Sequence, residues 1–192
     1  PTRCVIASDR PPSKECLVEA LFISTFSVAL AEIGDKTQLL ALVLAARFRR
    51  STPIIIGILI ATLANHGVAG IAGEWISALL PAGLQQWLIA ASFVLMGLWL
   101  LIPDSDDQTG ARYPYGAFLT TLIAFFIVEI GDKTQIATVV LAAHYDPLWV
   151  VVIGTTAGML AANVPVVFMG GAVAQRVPMR LVHAVAAGVF VA

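Results

Sequence analysis

Charge is scarce in this chain. Only 12% of its 192 residues are Asp, Glu, Lys or Arg, while 59% are hydrophobic. A soluble domain carries about 25% charged residues. A water-soluble fold of this length has too small an interior to hide so much apolar surface. The sequence therefore reads as an all-α integral membrane protein, in line with a mean hydropathy of +0.90. A net charge of −1 and the lack of a basic patch argue against nucleic acid as a partner. Cysteine is nearly missing too. The two present, Cys4 and Cys16, both lie near the start of the chain. That rules out a Cys-based zinc cluster and leaves open either a pair in an oxidising compartment or two separate thiols. There is no Ser-His or Cys-His set and no phosphate-binding glycine loop, so neither an enzyme nor a cofactor is expected.

What is present is a series of apolar runs near the roughly 20 residues that cross a bilayer core. Six are read, at about 17–46, 53–80, 84–102, 116–143, 147–173 and 179–192. The sixth is short and still apolar at Ala192, so the natural chain is expected to continue beyond it. Residues 1–16 form a polar leader without the apolar stretch of a signal peptide. Residues 103–115, with Asp104, Asp106 and Asp107, form an acidic linker between the stretches 17–102 and 116–192. Trp75, Trp87, Trp99 and Trp149 fall at span borders, the headgroup level that tryptophan favours. Arg47, Arg49, Arg50, Arg112, Arg176 and Arg180 fall on one side, against Arg3, Arg10 and Lys14 on the other. The positive-inside rule then puts the first set in the cytoplasm and the N-terminus on the non-cytoplasmic side.

The chain repeats itself. Shifted by 97 residues, Glu32-Ile33-Gly34-Asp35-Lys36-Thr37-Gln38 falls on Glu129-Ile130-Gly131-Asp132-Lys133-Thr134-Gln135, seven identities in a row. The same shift pairs Gly57 with Gly154, Ala64 with Ala161 and Pro81 with Pro178. Each copy holds three spans. An odd number makes the second copy enter the membrane from the opposite face, which predicts two inverted three-helix repeats with a site between them near the midplane.

Glu32 and Glu129 lie near the middle of their spans, where ionisable groups are expensive and mark an ion path. On a continuous helix Glu32 and Asp35 share a face, as do Glu129 and Asp132. Gly34 and Gly131 would let the backbone bend there, freeing carbonyls for the site. Four carboxylates converging from two helices suit a hard cation such as Mn²⁺, Ca²⁺ or Mg²⁺. Gln38 and Gln135, one turn on, would add neutral oxygens. Lys36 and Lys133 bring the charge of the set to −2, which one divalent cation or two protons would cancel, so exchange of metal for protons is expected. Thr37 and Thr134 either line the pathway or bond their own backbone. His66 and Asn163 coincide at the 97-residue shift and would line the path or pack helices. Gly57, Ala61, Gly154 and Gly158 read as close-packing positions.

Twin Glu-x-Gly-Asp-Lys-Thr motifs in a duplicated six-span chain resemble the Gdt family of cation exchangers. That family includes Golgi calcium/manganese transporters and bacterial manganese exporters of the MneA type. The resemblance covers about 17–192. It implies proton-coupled transport of Mn²⁺ or Ca²⁺, with Glu32, Asp35, Glu129 and Asp132 as metal ligands and Gln38 and Gln135 beside them. The compact chain resembles bacterial members, which implies a manganese exporter of the bacterial plasma membrane. A Ca²⁺/H⁺ antiporter and an uncoupled divalent-cation channel are the alternatives. Partners are then the ion, protons and the lipid bilayer, with a homodimer admitted.

Overall fold

The computed structural model describes residues 13–100 and 115–169, and within them all regular structure is α-helical. The element order is α1 (Lys14–Glu32), α2 (Lys36–Phe48), α3 (Ser51–Leu79), α4 (Ala82–Leu100), α5 (Ala117–Glu129), α6 (Lys133–His144) and α7 (Leu148–Met169). The sixth span, Cys4, nearly all of the linker and most of the leader fall outside the described residues. The leader also ends sooner than expected. Ser13 caps α1 by accepting a hydrogen bond from the Cys16 backbone N–H at 3.3 Å, so residues 14–16 are already helical.

By length and composition, α3 and α7 are each able to cross a bilayer, and α1 with α2 makes a third crossing as a bent pair. The 29 residues of α3 span roughly 44 Å at about 1.5 Å per residue, so this helix must tilt to fit a core of roughly 30 Å. Helix α7 tolerates Pro165 in its interior, as membrane helices do where neighbours re-satisfy the freed backbone. The runs 17–46 and 116–143, where Gly34 and Gly131 admit a bend, are each two helices. The break falls inside the repeated motif, and α1 and α2 differ in direction by 73°.

The outer faces are apolar, and the interior mixes apolar side chains such as Ile54, Ile58, Phe125 and Met159 with polar ones. Val18, Phe22 and Phe26 on α1, Ile56 and Ile60 on α3 and Ile153 on α7 are exposed. Trp75, Trp87 and Trp149 also face outward. Among the interior polar residues are Ser24, Thr62, Asn65, Thr120, Thr121, Thr155 and Thr156, together with the charged residues of the motif. Lipid is as apolar as leucine, so burying apolar side chains gains little there, and close backbone approach and interhelical polar contacts hold the helices together instead.

Two approaches show how. Helix α3 lies against α5, and α7 lies against α1. A Cβ on Gly57 would stand 2.8 Å from Thr121 Cβ, and one on Gly154 would stand 2.8 Å from Ser24 Cβ. These contacts are equivalent under the 97-residue shift, since 57 + 97 = 154 and 24 + 97 = 121. Each glycine therefore lets a helix of one half touch a helix of the other. A leucine at Gly57 or Gly154 is expected to lower thermal stability in detergent, with overpacking costing about 1–3 kcal/mol. Gly67→Ala, where nothing lies within 4 Å of the new Cβ, should leave the melting temperature unchanged.

Candidate functional site

The motif ends one helix and starts the next. Ile33 adopts φ −63° and ψ 115°, Gly34 has φ +85°, and the Asp35 N–H donates to the Glu32 carbonyl at 3.0 Å. This is a type II turn, which needs positive φ at its third residue and so favours glycine there. The second copy repeats it. Ile130 has φ −64° and ψ 118°, Gly131 φ +77°, and the Asp132 N–H meets the Glu129 carbonyl at 3.1 Å. Glu32 and Glu129 are thus the last residues of α1 and α5, while Asp35 and Asp132 are the N-caps of α2 and α6. The expected sharing of one helical face by each Glu-Asp pair is therefore corrected. The two carboxyl groups stand on opposite lips of a break, drawn together by a turn.

The glutamines stabilise that turn. Gln38 Oε1 accepts from the Gly34 N–H at 2.8 Å, and Gln135 Oε1 accepts from the Gly131 N–H at 2.7 Å. Gln38 Nε2 also donates to the Ala162 carbonyl of α7 at 2.9 Å. These amides brace the opened backbone, whereas the sequence reading had their oxygens facing the ion. The threonines do the reverse. They were weighed as lining the pathway or bonding their own backbone, and Thr37 Oγ1 donates to Glu32 Oε2 at 2.5 Å and Thr134 Oγ1 to Glu129 Oε2 at 3.0 Å.

The lysines cross over. Lys133 Nζ lies 2.8 Å from Asp35 Oδ1, and Lys36 Nζ lies 2.7 Å from Asp132 Oδ1. Each lysine pairs with the aspartate of the other motif copy, not with its own neighbour in sequence. Adjacent residues at a helix start point different ways, so Asp35 and Lys36 leave the turn in divergent directions. The crossed pairs fasten the two breaks to each other. Their surroundings differ: the side chains of Lys133 and Asp35 are 2% and 1% exposed, whereas Lys36 is 36% exposed and its partner Asp132 2%.

Carboxylate oxygens of Glu32, Glu129 and Asp132 come within 4.8 Å of one another. A hard cation with ligands at about 2.0–2.6 Å holds its oxygens no more than about 5 Å apart. Glu32 Oε1, Glu129 Oε1 and Asp132 Oδ2 are all buried with no hydrogen-bond partner among the described residues. Buried acceptors are nearly always satisfied in folded proteins. Each of the three clustered carboxyl groups thus keeps one oxygen without a partner among the described residues, which makes the cluster a candidate site for a cation or for protons. Asp35 is buried beside it, held by Lys133.

Of the two mid-span residues, Asn163 reaches the cluster, with Nδ2 3.2 Å from Glu32 Oε2 and 3.1 Å from the Met159 carbonyl. His66 is fully buried on α3, and neither ring nitrogen has a hydrogen-bond partner among the described residues. Sequence reasoning missed Asn65. Its amide donates to the Phe126 carbonyl at 3.1 Å and fastens α3 to α5 one turn before Glu129. The signal was a second amide-type residue beside His66 in a run otherwise apolar.

A buried acidic cluster built from two copies of one motif, inside helices with apolar outer faces, defines a membrane cation transporter. The chain belongs to the GDT1 family of divalent cation/proton antiporters, whose family description matches residues 20–108 and 117–192. It is 49% identical over 181 residues to a "Putative manganese exporter" of Vibrio cholerae serotype O1, covering 94% of this chain and 90% of that one. It is also similar to a GDT1-like protein of Synechocystis, at 27% identity over 81% of this chain and 84% of the other. GDT1-like protein 5 of Arabidopsis thaliana is 29% identical over 80% and 83%. None of the solved structures matches the chain.

The crossed pairing has a direct test. In a double-mutant cycle, Asp35→Asn and Lys133→Gln should couple by about 0.5–3 kcal/mol of stability, and more strongly than Asp35→Asn with Lys36→Gln. Gly131→Ala adds no contact within 4 Å, so its expected loss of about 1–2 kcal/mol comes from the positive φ alone. Thermal denaturation of the purified variants measures both.

Proposed function

We propose that this protein exports Mn²⁺ across a bacterial plasma membrane in exchange for protons. In this reading Glu32, Glu129 and Asp132 hold the ion and Asp35 completes the charge. The single observation that carries the proposal is the cluster of three carboxyl groups shared by the two motif copies, each with an oxygen unpartnered among the described residues. The preference for manganese is supported by the name of the Vibrio cholerae relative and by the hard, all-oxygen donor set.

The charge count gives the coupling. Four carboxylates and two lysines sum to −2 when all are ionised, as −4 + 2 = −2. Net charge in a low-dielectric interior is expensive. One Mn²⁺ or two protons cancels it, and both at once would overshoot to +2. The two cargoes therefore compete for the same oxygens. Thr37, Thr134 and Asn163 leave the outer oxygens of the glutamates to the ion by bonding the inner ones.

We infer further that the stretches 17–102 and 116–192 are inverted three-helix repeats joined by the 103–115 linker, with the N-terminus on the non-cytoplasmic side. Matching turns, crossed lysines and matching glycine contacts support the repeat. An inverted pair reaches its second state by exchanging the conformations of its halves. The unequal exposure of the two lysines then reads as two gates, Lys133–Asp35 shut and Lys36–Asp132 partly open. Complete burial of both glutamates favours such a gated exchanger over an open channel.

In proteoliposomes with an imposed pH gradient, Mn²⁺ uptake should be driven by proton counterflux. Glu32→Gln and Glu129→Gln should each lower it at least a hundredfold. Normal transport by either variant, or metal movement indifferent to the gradient, contradicts the proposal.

A further inference from the structure

Two glutamates built by identical motifs are held unequally. Glu32 receives two side-chain donors, from Thr37 of its own motif and from Asn163 of α7. Glu129 receives one among the described residues, from Thr134. The missing donor has an address. Under the 97-residue shift the counterpart of Asn163 is His66, since 66 + 97 = 163. His66 sits on α3, which packs against α5 as α7 packs against α1. Asn65 bonds the Phe126 carbonyl, so this turn of α3 runs beside the last turn of α5, which ends at Glu129. His66 is fully buried, and both of its ring nitrogens lack a hydrogen-bond partner among the described residues, as does Glu129 Oε1. Among the described residues His66 thus lacks the bond that its equivalent, Asn163, makes to the glutamate of the other half. A buried, unmade hydrogen bond costs about 1–3 kcal/mol, too much to keep without a use.

We propose that His66 is a positioning residue for Glu129. In the other state of the exchange cycle a His66 ring N–H donates to Glu129, while Asn163 releases Glu32. Each state then satisfies one glutamate through an intramembrane helix of the opposite half and leaves the other glutamate to its threonine. The orphaned histidine keeps the energies of the two states close, because the bond lost at Asn163 is replaced at His66. A state change that only broke bonds would strand the protein in one conformation. The role is that of a neutral donor. Asparagine, which performs it in the second half, should therefore perform it at position 66 as well.

The inference rests on the reading of the two motifs as an exchange site between inverted halves. Its test compares wild type, His66→Asn, His66→Leu and Glu129→Gln in proteoliposomes, with equilibrium Mn²⁺ binding measured on the same purified proteins. His66→Leu keeps the bulk and removes the donor. It should lower Mn²⁺ turnover about tenfold or more, while Mn²⁺ affinity stays within about threefold, because the carboxylate oxygens of the state described here remain in place. His66→Asn should recover at least a third of the wild-type turnover. A packing role predicts the reverse order, with leucine tolerated and the smaller asparagine impaired. That order, or equal turnover in the two variants, overturns the proposal. If His66→Leu does not fold, Asn163→Leu carries the same test from the other half. It should lower turnover, and wild-type turnover there overturns the proposal equally. Normal transport by Glu129→Gln would instead remove the carboxylate site itself, whatever the outcome at His66.

Discussion

Everything in this fold follows from keeping four carboxylates in an apolar interior. Glu32, Asp35, Glu129 and Asp132 are all buried. An isolated buried carboxylate is very expensive, and partial pairing leaves the remainder exposed to that penalty. The two lysines meet part of the demand by crossing from one motif copy to the aspartate of the other. That crossing dictates the rest. It requires both helices to be broken at the same point, both breaks to face each other, and the flanking helices to approach closely enough to hold them there. The type II turns, the bracing glutamines and the glycine contacts at Gly57 and Gly154 each meet one of those requirements.

What the lysines do not neutralise is what makes the site useful. Among the described residues, one oxygen each of Glu32, Glu129 and Asp132 remains without a partner, a demand that a mobile cation or protons would satisfy. A protein evolved only to be stable would have closed this gap with another donor. In the proposed antiporter that gap would be the binding site, and its residual charge would set which cargo combinations are tolerated inside the membrane. The inequality between the halves belongs to the same logic. Equivalent ion pairs differ in exposure, and equivalent glutamates differ in donors, as one frame of a two-state cycle requires.

Much of the site was legible in the sequence, because ionisable residues in apolar runs have so few innocent explanations. The repeat could be read by shifting the chain on itself, and with it came all four carboxylates and both lysines. The geometry was less legible. Glycine at positions 34 and 131 permits a positive φ without demanding one, and glycine is common in membrane helices. A bend at these glycines was therefore admitted without its form, and the shared face of each Glu-Asp pair held only for a continuous helix. Once the break is put in, Gln38 and Gln135 turn to the freed N–H groups, and Thr37 and Thr134 turn to the glutamates. Which lysine meets which aspartate depends on how two distant segments pack, and one motif copy holds no information about that. Asn65 went unseen for the same reason, since its partner is a backbone carbonyl and carbonyls leave no mark in a sequence. The outer faces, with Phe22, Phe26 and Trp149 exposed, follow directly from composition.

The central claim is that a site of charge −2 carries either one divalent cation or two protons, so that each cycle moves no net charge. Measuring current from proteoliposomes adsorbed on a solid-supported membrane, while following internal pH and Mn²⁺ together, tests it most directly. The account predicts two protons moved per Mn²⁺, no sustained current, and a rate unaffected by a clamped membrane potential. A steady current in the direction of Mn²⁺ movement, or one proton per ion, would contradict it.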